Sequence, residues 1–465
     1  MKYISTRGQA EILDFEGVTL AGLARDGGLY VPQTLPKISA DNIRGMRGMS
    51  YAEVAFRVIQ PFVAGSIADA DLKRILEETY GSAFRHPAVT PLVQLDSNQW
   101  LLELFHGPTL AFKDIALQLL GRFFDHFTAA SEKKLTILGA TSGDTGSAAI
   151  EGCRGRDNVS IFMLHPKGRV SEVQRRQMTT VIETNVKNIA IEGTFDDCQA
   201  LVKACFNDLP FRDAAGLTAV NSINWARVMA QIVYYFTSAV ALGAPDRPVS
   251  FSVPTGNFGD VFAGYIAKGM GLPIAKLQIA TNSNDILART LETGKYTLGD
   301  ASSTLSPSMD IQISSNFERL LFDLTGRNGD QVSTYMEALQ SEKGFELRDD
   351  HLAKLRHGFG AGRVSDSETR TVMKDCYERT GYLADPHTAV GLALASKNSG
   401  EMAEPMITLA TAHPAKFGAA VEEACAVVPK LPPHMADLFE RDEKFTVLAN
   451  DKQLLQQYIL QGDAA

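Results

Sequence analysis

Residues 135–150 read LTILGATSGDTGSAAI and residues 249–269 read VSFSVPTGNFGDVFAGYIAKG, and the two stretches share one construction. In each, a short apolar run ends in a glycine-rich turn and continues as a helical pattern. The first run ends at Ala140 and turns through Thr141, Ser142, Gly143, Asp144, Thr145 and Gly146; the second spans 249–253 and turns through Thr255, Gly256, Asn257, Phe258 and Gly259. Glycines at such turns let backbone N–H groups converge on one point, and the following helix adds its positive end, so each turn is a cradle for an anion. Working outward, LVQL, WLLELF, VSIFML, VKNIAI, KLQIAT and MITLAT are further apolar runs, most of them followed by helical patterns. This alternation predicts an α/β fold of parallel sheets covered on both faces, with ligands at the carboxyl ends of the strands, where both turns lie. Neither turn is a nucleotide signature. The pattern GxxxxGKS/T is absent, and the glycine spacing after Gly139 and Gly256 does not give GxGxxG with an acid at the end of the next strand.

A lysine accompanies the two cradles. Residues 105–116 read FHGPTLAFKDIA, a glycine-proline turn followed by an aromatic residue, Lys113 and a helix-starting acid. This holds an amine at the buried mouth of a helix, where desolvation lowers its pKa and makes it a nucleophile for carbonyl carbon. The stretch from Asn221 begins polar and becomes an apolar helix, so Ser222, Asn224 and Arg227 lie at a helix start that can bind a second phosphate. For Arg227 a surface ion pair is the other reading. Lys167 and Arg169, after IFMLHP, are secondary candidates for the same anion.

Composition sets the frame. With 465 residues, 45% of them hydrophobic, the chain buries large cores and is expected to form more than one domain. The net charge is −9 with no basic block, which argues against nucleic acid as a partner. No signal-type stretch opens the chain and no run reaches the length of a membrane span, so no membrane partner and a cytoplasmic location are expected. The cysteines, Cys153, Cys198, Cys205, Cys376 and Cys425, are scattered without CxxC or zinc spacing, which argues against disulfides and structural metal.

Residues 1–85 read as an N-terminal α+β domain with helices over 51–62 and 69–81, the first opened by a Ser50/Glu53 capping box. Residues 86–245 form the lobe with Lys113 and SGDTG, residues 246–430 the lobe with GNFG and TAHP, and residues 431–465 a C-terminal docking segment. Residues 294–316, rich in small polar side chains, read as a long loop, a lid or a linker.

FHGPTLAFKD, ATSGDTGSAAI, NSINWARVMAQIVYYF, PTGNFGDVFAGY and LATAHPAKF, in this order, resemble the signature blocks of the threonine synthase family. These are pyridoxal-phosphate enzymes of the tryptophan-synthase-β fold type. YISTRG and GLARDGGLYVP near the start resemble the bacterial and fungal branch, and the likeness runs over about residues 3–417. It implies fold type II, with two parallel-sheet lobes and an added N-terminal domain. It also implies that Lys113 carries pyridoxal 5'-phosphate, with Phe112 and Thr109 shaping the pocket, and that Gly256, Asn257, Phe258 and Gly259 hold the cofactor phosphate. Asp260 is then expected to cap its helix and face away from that dianion. Ser142, Gly143, Asp144 and Thr145 are implied to cradle the substrate carboxylate. Relatives often carry asparagine where Asp144 stands, which leaves its role open. Thr411 is implied to offer a hydroxyl to the pyridine nitrogen, whereas His413 reads as an ordinary buried histidine. Ser222, Asn224 and Arg227 are implied to take the substrate phosphate. The implied reaction, in threonine biosynthesis, turns O-phosphohomoserine and water into threonine and phosphate. A phospho-lyase releasing a 2-oxo acid and a noncatalytic cofactor-binding relative are the alternatives. The branch implies a monomer or homodimer.

Overall fold

The computed structural model describes residues 1–129, 134–398 and 403–462. Its apolar runs become the strands of two sheets. The larger has six strands in the order Phe359–Arg363, Ile274–Thr281, Val249–Pro254, Met406–Ala410, Gln99–Glu103, Leu92–Gln94. The smaller has five, in the order Thr446–Ala449, Val186–Glu192, Val159–Pro166, Leu135–Ala140, Leu217–Thr218. All neighbours are parallel except the edge pair Leu92–Gln94 and Gln99–Glu103, which is antiparallel. Every residue of Val249–Pro254 is buried, as expected for a strand covered on both faces.

The sheets do not follow the sequence boundaries. Gln99–Glu103, which precedes Lys113 in the chain, pairs with Met406–Ala410 of the larger sheet. At the other end, Thr446–Ala449 extends the smaller sheet, and the helix Lys452–Gly462 buries Leu455 and Ile459 against its outer face beside Phe162, Ile189 and Ile191. The docking segment is therefore a strand as well as a helix.

The N-terminal residues pair Tyr3–Ser5 with Tyr30–Pro32 and carry helices Tyr51–Val63 and Asp69–Ser82. The Ser50/Glu53 capping box is formed, whereas the second helix starts at Ala68 with no side-chain cap. These helices share one core with the rest of the molecule: Phe62 meets Trp225 and Phe15 meets Phe123 edge-on, at ring separations of 5.8 and 5.3 Å. Trp225 opens the helix Trp225–Ala241, which is apolar nearly all round and packs on Tyr51–Val63, Lys113–Thr128 and Gly259–Met270. A helix buried on every side must be satisfied at its end. Asn224 does this, accepting from the Ala226 N–H at 3.0 Å. Among the described residues no helix is long and apolar enough to cross a membrane.

Residues 294–316 are not an unstructured loop. Lys295–Thr297 pairs with Gly344–Glu346, and the Asp310 carboxylate accepts from Asn282, Asn284 and Thr304, which folds the segment onto the end of Ile274–Thr281.

Candidate active site

The strand ends at Ala140, Pro254 and Ala410 open on one cleft of about 810 Å³, which both glycine turns, Lys113 and residues 307–313 line. Lys113 is the first residue of its helix and is 8% exposed. Its position is fixed from both sides. Asp114 reaches back to accept from the Thr109 N–H and hydroxyl at 2.8 and 2.6 Å, and the Phe112 N–H donates to Thr411 O at 2.9 Å. Thr109 thus anchors the helix start and does not line the cleft, whereas Phe112 and Thr411 do.

In SGDTG, Thr141 Oγ1 accepts from the N–H groups of Gly143 and Gly146, each at 2.9 Å, and closes the turn. Gly143 has φ +142°, and a Cβ there would lie 2.5 Å from the Gln174 side chain, so only glycine fits. Its N–H is spent within the turn, and Ser142, Asp144 and Thr145 face the cleft.

Asp144 is the electrostatic centre. Lys113 Nζ lies 3.1 Å from Oδ2 and Lys416 Nζ 3.0 Å from Oδ1; Gln174 Nε2 donates to Oδ1 at 2.8 Å and Ser308 Oγ to Oδ2 at 3.3 Å. Burial pulls its carboxyl upward, but Lys113, Lys416 and the Gln174 amide together hold it well below the usual value. For Lys113, desolvation dominates and lowers the amine's pKa; Asp144 opposes this, and Lys416 and Arg227 add to it. Asp144, whose role the sequence leaves open, is thus an ion-pair partner of both Lys113 and Lys416. Lys416, Gln174, Ser308 and His387 escaped the sequence reading, although Lys416 stands in the quoted block LATAHPAKF.

The GNFG turn has the form of a backbone cradle for an anion. Phe258 begins the helix Gly259–Met270 at φ 64°, with its ring fixed against Phe317 and Phe359 at 5.4 and 5.8 Å. Ser314 Oγ donates to Gly256 O at 2.6 Å, and both the backbone N–H and the side-chain amide of Asn316 donate to Asn257 O at 3.0 Å. These bonds occupy the carbonyl side of the turn, and the helix end points into the cleft. A Cβ on Gly256 would come within 3.0 Å of Ser308 O. The expectation for Asp260 needs correction: it does not cap the helix, which has no side-chain cap. Its carboxylate instead accepts from the Tyr234 and Tyr235 hydroxyls. Two phenols on the Trp225 helix outcompete the helix end for it.

Ser222 and Arg227 line the same cleft; Asn224 does not, because its side chain caps the Trp225 helix and donates to Thr19 O and Ala219 O. Arg227 is 4% exposed, so the surface ion pair is ruled out. One of its terminal nitrogens donates to Val220 O at 3.1 Å, Nε has no partner among the described residues, and burial lowers its pKa to about 10. Gln231 Oε1, one turn further on, is also buried without a partner among those residues. Lys167 is exposed and paired with Glu192, and neither it nor Arg169 lines the cleft. His413 lines a separate cavity of about 390 Å³ with Phe105, His106 and His434. Its Nδ1 accepts from the Ala415 N–H, and burial drops its pKa to about 4.

An aldehyde carrying a phosphate and an aromatic nitrogen fits this set: a desolvated amine, a backbone cradle that a Cβ would obstruct, and Thr411 on the wall of the same cleft. Comparison with known proteins agrees. Residues 83–411 match the family described as pyridoxal-phosphate dependent enzyme, residues 2–80 the threonine synthase N terminus, and residues 388–459 the threonine synthase C-terminal family. A threonine synthase from Pseudomonas aeruginosa is 58% identical over 99% of this chain and 98% of its own. The crystal structure of pyridoxal-phosphate-bound threonine synthase from Brucella melitensis superposes with a TM-score of 0.97 at 56% identity, covering 100% of both chains. Threonine synthase from yeast superposes at 0.93 with 41% identity, covering 100% of this chain and 99% of its own.

Proposed function

The chain belongs to the threonine synthase family of pyridoxal-phosphate-dependent lyases, and we propose from that premise that the substrate of its cleft is O-phosphohomoserine, converted with water to threonine and phosphate. Pyridoxal phosphate supplies an electron sink that acidifies the α- and β-positions of a bound amino acid and lets a γ-substituent leave. Gly256, Asn257, Phe258 and Gly259 would hold its phosphate, Lys113 would attach it, and Thr411 would offer its hydroxyl to the ring nitrogen. A hydroxyl in that place would leave the nitrogen largely unprotonated, which would favour elimination and replacement over transamination.

The chain's own residues then divide the work. Ser142, Thr145 and the start of the helix Asp144–Cys153 receive the α-carboxylate. Lys113, once free, takes the α-proton and serves the β-carbon. Asp144 steadies its amine. Arg227 and Ser222 hold the phosphate that departs, and residues 307–313 wall the cleft from water.

The observation that carries the substrate assignment is Arg227: a guanidinium buried in the cleft of Lys113, with Nε unpartnered and no carboxylate within ion-pair distance among the described residues. A buried cation without a counter-ion calls for an anionic ligand. The test is phosphate release from O-phosphohomoserine with amino-acid analysis, on the purified protein and Lys113→Ala. Threonine equal to phosphate, lost in the variant, supports the assignment. A 2-oxo acid instead points to the lyase, and bound cofactor without turnover to a noncatalytic relative.

A further inference from the structure

The cofactor-lysine site contains a second buried lysine that the reaction does not use. Lys416 lies in the short helix Pro414–Phe417, directly after Thr411, and its side chain has no exposed surface. Three oxygens surround its Nζ: Thr109 O at 2.7 Å, Gln177 Oε1 at 2.9 Å and Asp144 Oδ1 at 3.0 Å. An ammonium has three protons to give and no acceptor function, so this shell matches the charged form. Gln177 is itself oriented by donating from Nε2 to Thr109 O at 3.1 Å, so the shell is preorganised.

Lys113 is placed differently. Among the described residues its one hydrogen-bonding contact is Asp144 Oδ2 at 3.1 Å, and its Nζ lies over the Phe112 ring, 5.0 Å from the centroid, a contact that holds an ammonium more weakly than the three oxygens around Lys416 do. One carboxylate therefore faces two amines in a water-poor site. Two buried ammonium groups on a single carboxylate leave a net uncompensated charge, which is costly, so one amine is favoured as neutral. The hydrogen-bond shells decide which.

We propose that Lys416 is a positioning residue: a fixed cation that takes up the charge of Asp144, so that Lys113 remains the neutral amine. It acts through Asp144 and touches no reacting atom. The other charged or titratable groups near Lys113 and Asp144 are Arg227 on the Trp225 helix and His387 on the helix Pro386–Asn398; Asp114, on the Lys113 helix itself, lies near Lys416. Desolvation of Lys113 acts in the same direction as Lys416. The inference rests on the reading of Lys113 as the cofactor lysine but not on the identity of the substrate.

The test reads the amine directly. The full-length chain is freed of cofactor and mixed with pyridoxal phosphate, and the rate of attachment at Lys113 is followed by absorbance as a function of pH. Attachment requires the neutral amine, whose nitrogen bonds the aldehyde carbon as water leaves. In Lys416→Met the acid limb should move at least one unit to higher pH, lowering the rate near neutrality about tenfold, since one unit is a factor of ten. Lys416→Arg, which keeps the charge, should move it less. If Lys416→Met does not fold, Asp144→Asn is compared with the double variant Asp144→Asn/Lys416→Met. The single variant leaves Lys416 unneutralised beside Lys113 and should shift the limb to lower pH, and the double variant should move it back towards wild type. Superimposable limbs for wild type and Lys416→Met, or for the single and double Asp144 variants, overturn the proposal even where stability falls. A wild-type chain that attaches cofactor normally but does not turn over O-phosphohomoserine would sink the substrate assignment and leave this inference standing.

Discussion

Ser308 Oγ lies 3.3 Å from Asp144 Oδ2, so the segment 294–316 closes one wall of the cleft onto the SGDTG turn. The backbone N–H of the same residue donates to His387 Nε2 at 3.2 Å, while His387 Nδ1 faces Asp385 Oδ1 at 2.9 Å. The ring can accept at Nε2 only with its proton on Nδ1, the arrangement Asp385 selects.

Ser308→Ala removes the link to Asp144 and keeps the link to His387. A part-buried hydroxyl bond to a carboxylate contributes about 1–2 kcal/mol. The expected result is a severalfold loss in kcat with faster amide exchange across residues 303–312. Unchanged exchange there would show that the wall is held by the Asp310 bonds alone.

Arg227→Met separates binding from stability. Removing an unpaired buried cation should stabilise the free protein by about 1–2 kcal/mol, whereas losing a charge-assisted bond to phosphate should lower kcat/KM by roughly 30- to 100-fold. Cofactor attachment should be intact, and inorganic phosphate should raise the melting temperature of wild type but not of the variant. A variant less stable than wild type would mean that Arg227 serves the fold.

What the sequence declares is what is local. Lys113, SGDTG and GNFG each carry their geometry within about ten residues, and the structure places all three on one cleft. What it hides depends on tertiary pairing. Lys416 becomes a neighbour of Asp144 only because Met406–Ala410 pairs with Gln99–Glu103 and draws the following loop against Lys113, a relation between residues 272 positions apart. From sequence, Asn224 reads equally as a phosphate ligand, because a helix cap and an anion ligand place the same residue type at the same position. The partners of Asp260 are invisible to local sequence because its two tyrosines lie 26 and 25 positions upstream, on a different helix.

Gly256→Ala tests the phosphate cradle. The added Cβ would lie 3.0 Å from Ser308 O and 3.3 Å from Met309 Cα, both backbone atoms that cannot rotate away. The turn at 307–309 must retreat, at a cost of about 1–3 kcal/mol for overpacking. Affinity for pyridoxal phosphate, measured by fluorescence titration, should fall at least tenfold while the unliganded melting temperature changes by only a few degrees. A large loss of stability with unchanged affinity would place the strain in the fold and not in the cradle.

Asp260 gives the pH prediction. Burial pushes its carboxyl up to about 6 from the ordinary 3.8, against hydrogen bonds from Tyr234 and Tyr235 that pull it down. Because the folded value is the higher one, the fold favours the protonated acid; this contribution is complete below about pH 4 and is lost as pH rises through 6. A shift of that size corresponds to about 3 kcal/mol. Asp114, also raised to about 6 by burial, acts in the same window and the same direction. Asp260→Asn keeps an acceptor for both phenols and has no charge to form. Denaturant unfolding of the cofactor-free protein should therefore find the variant more stable than wild type at pH 7.5, with the difference closing towards pH 4. An offset independent of pH would show that Asp260 does not titrate in this range, and that the two tyrosines suffice to hold its charge.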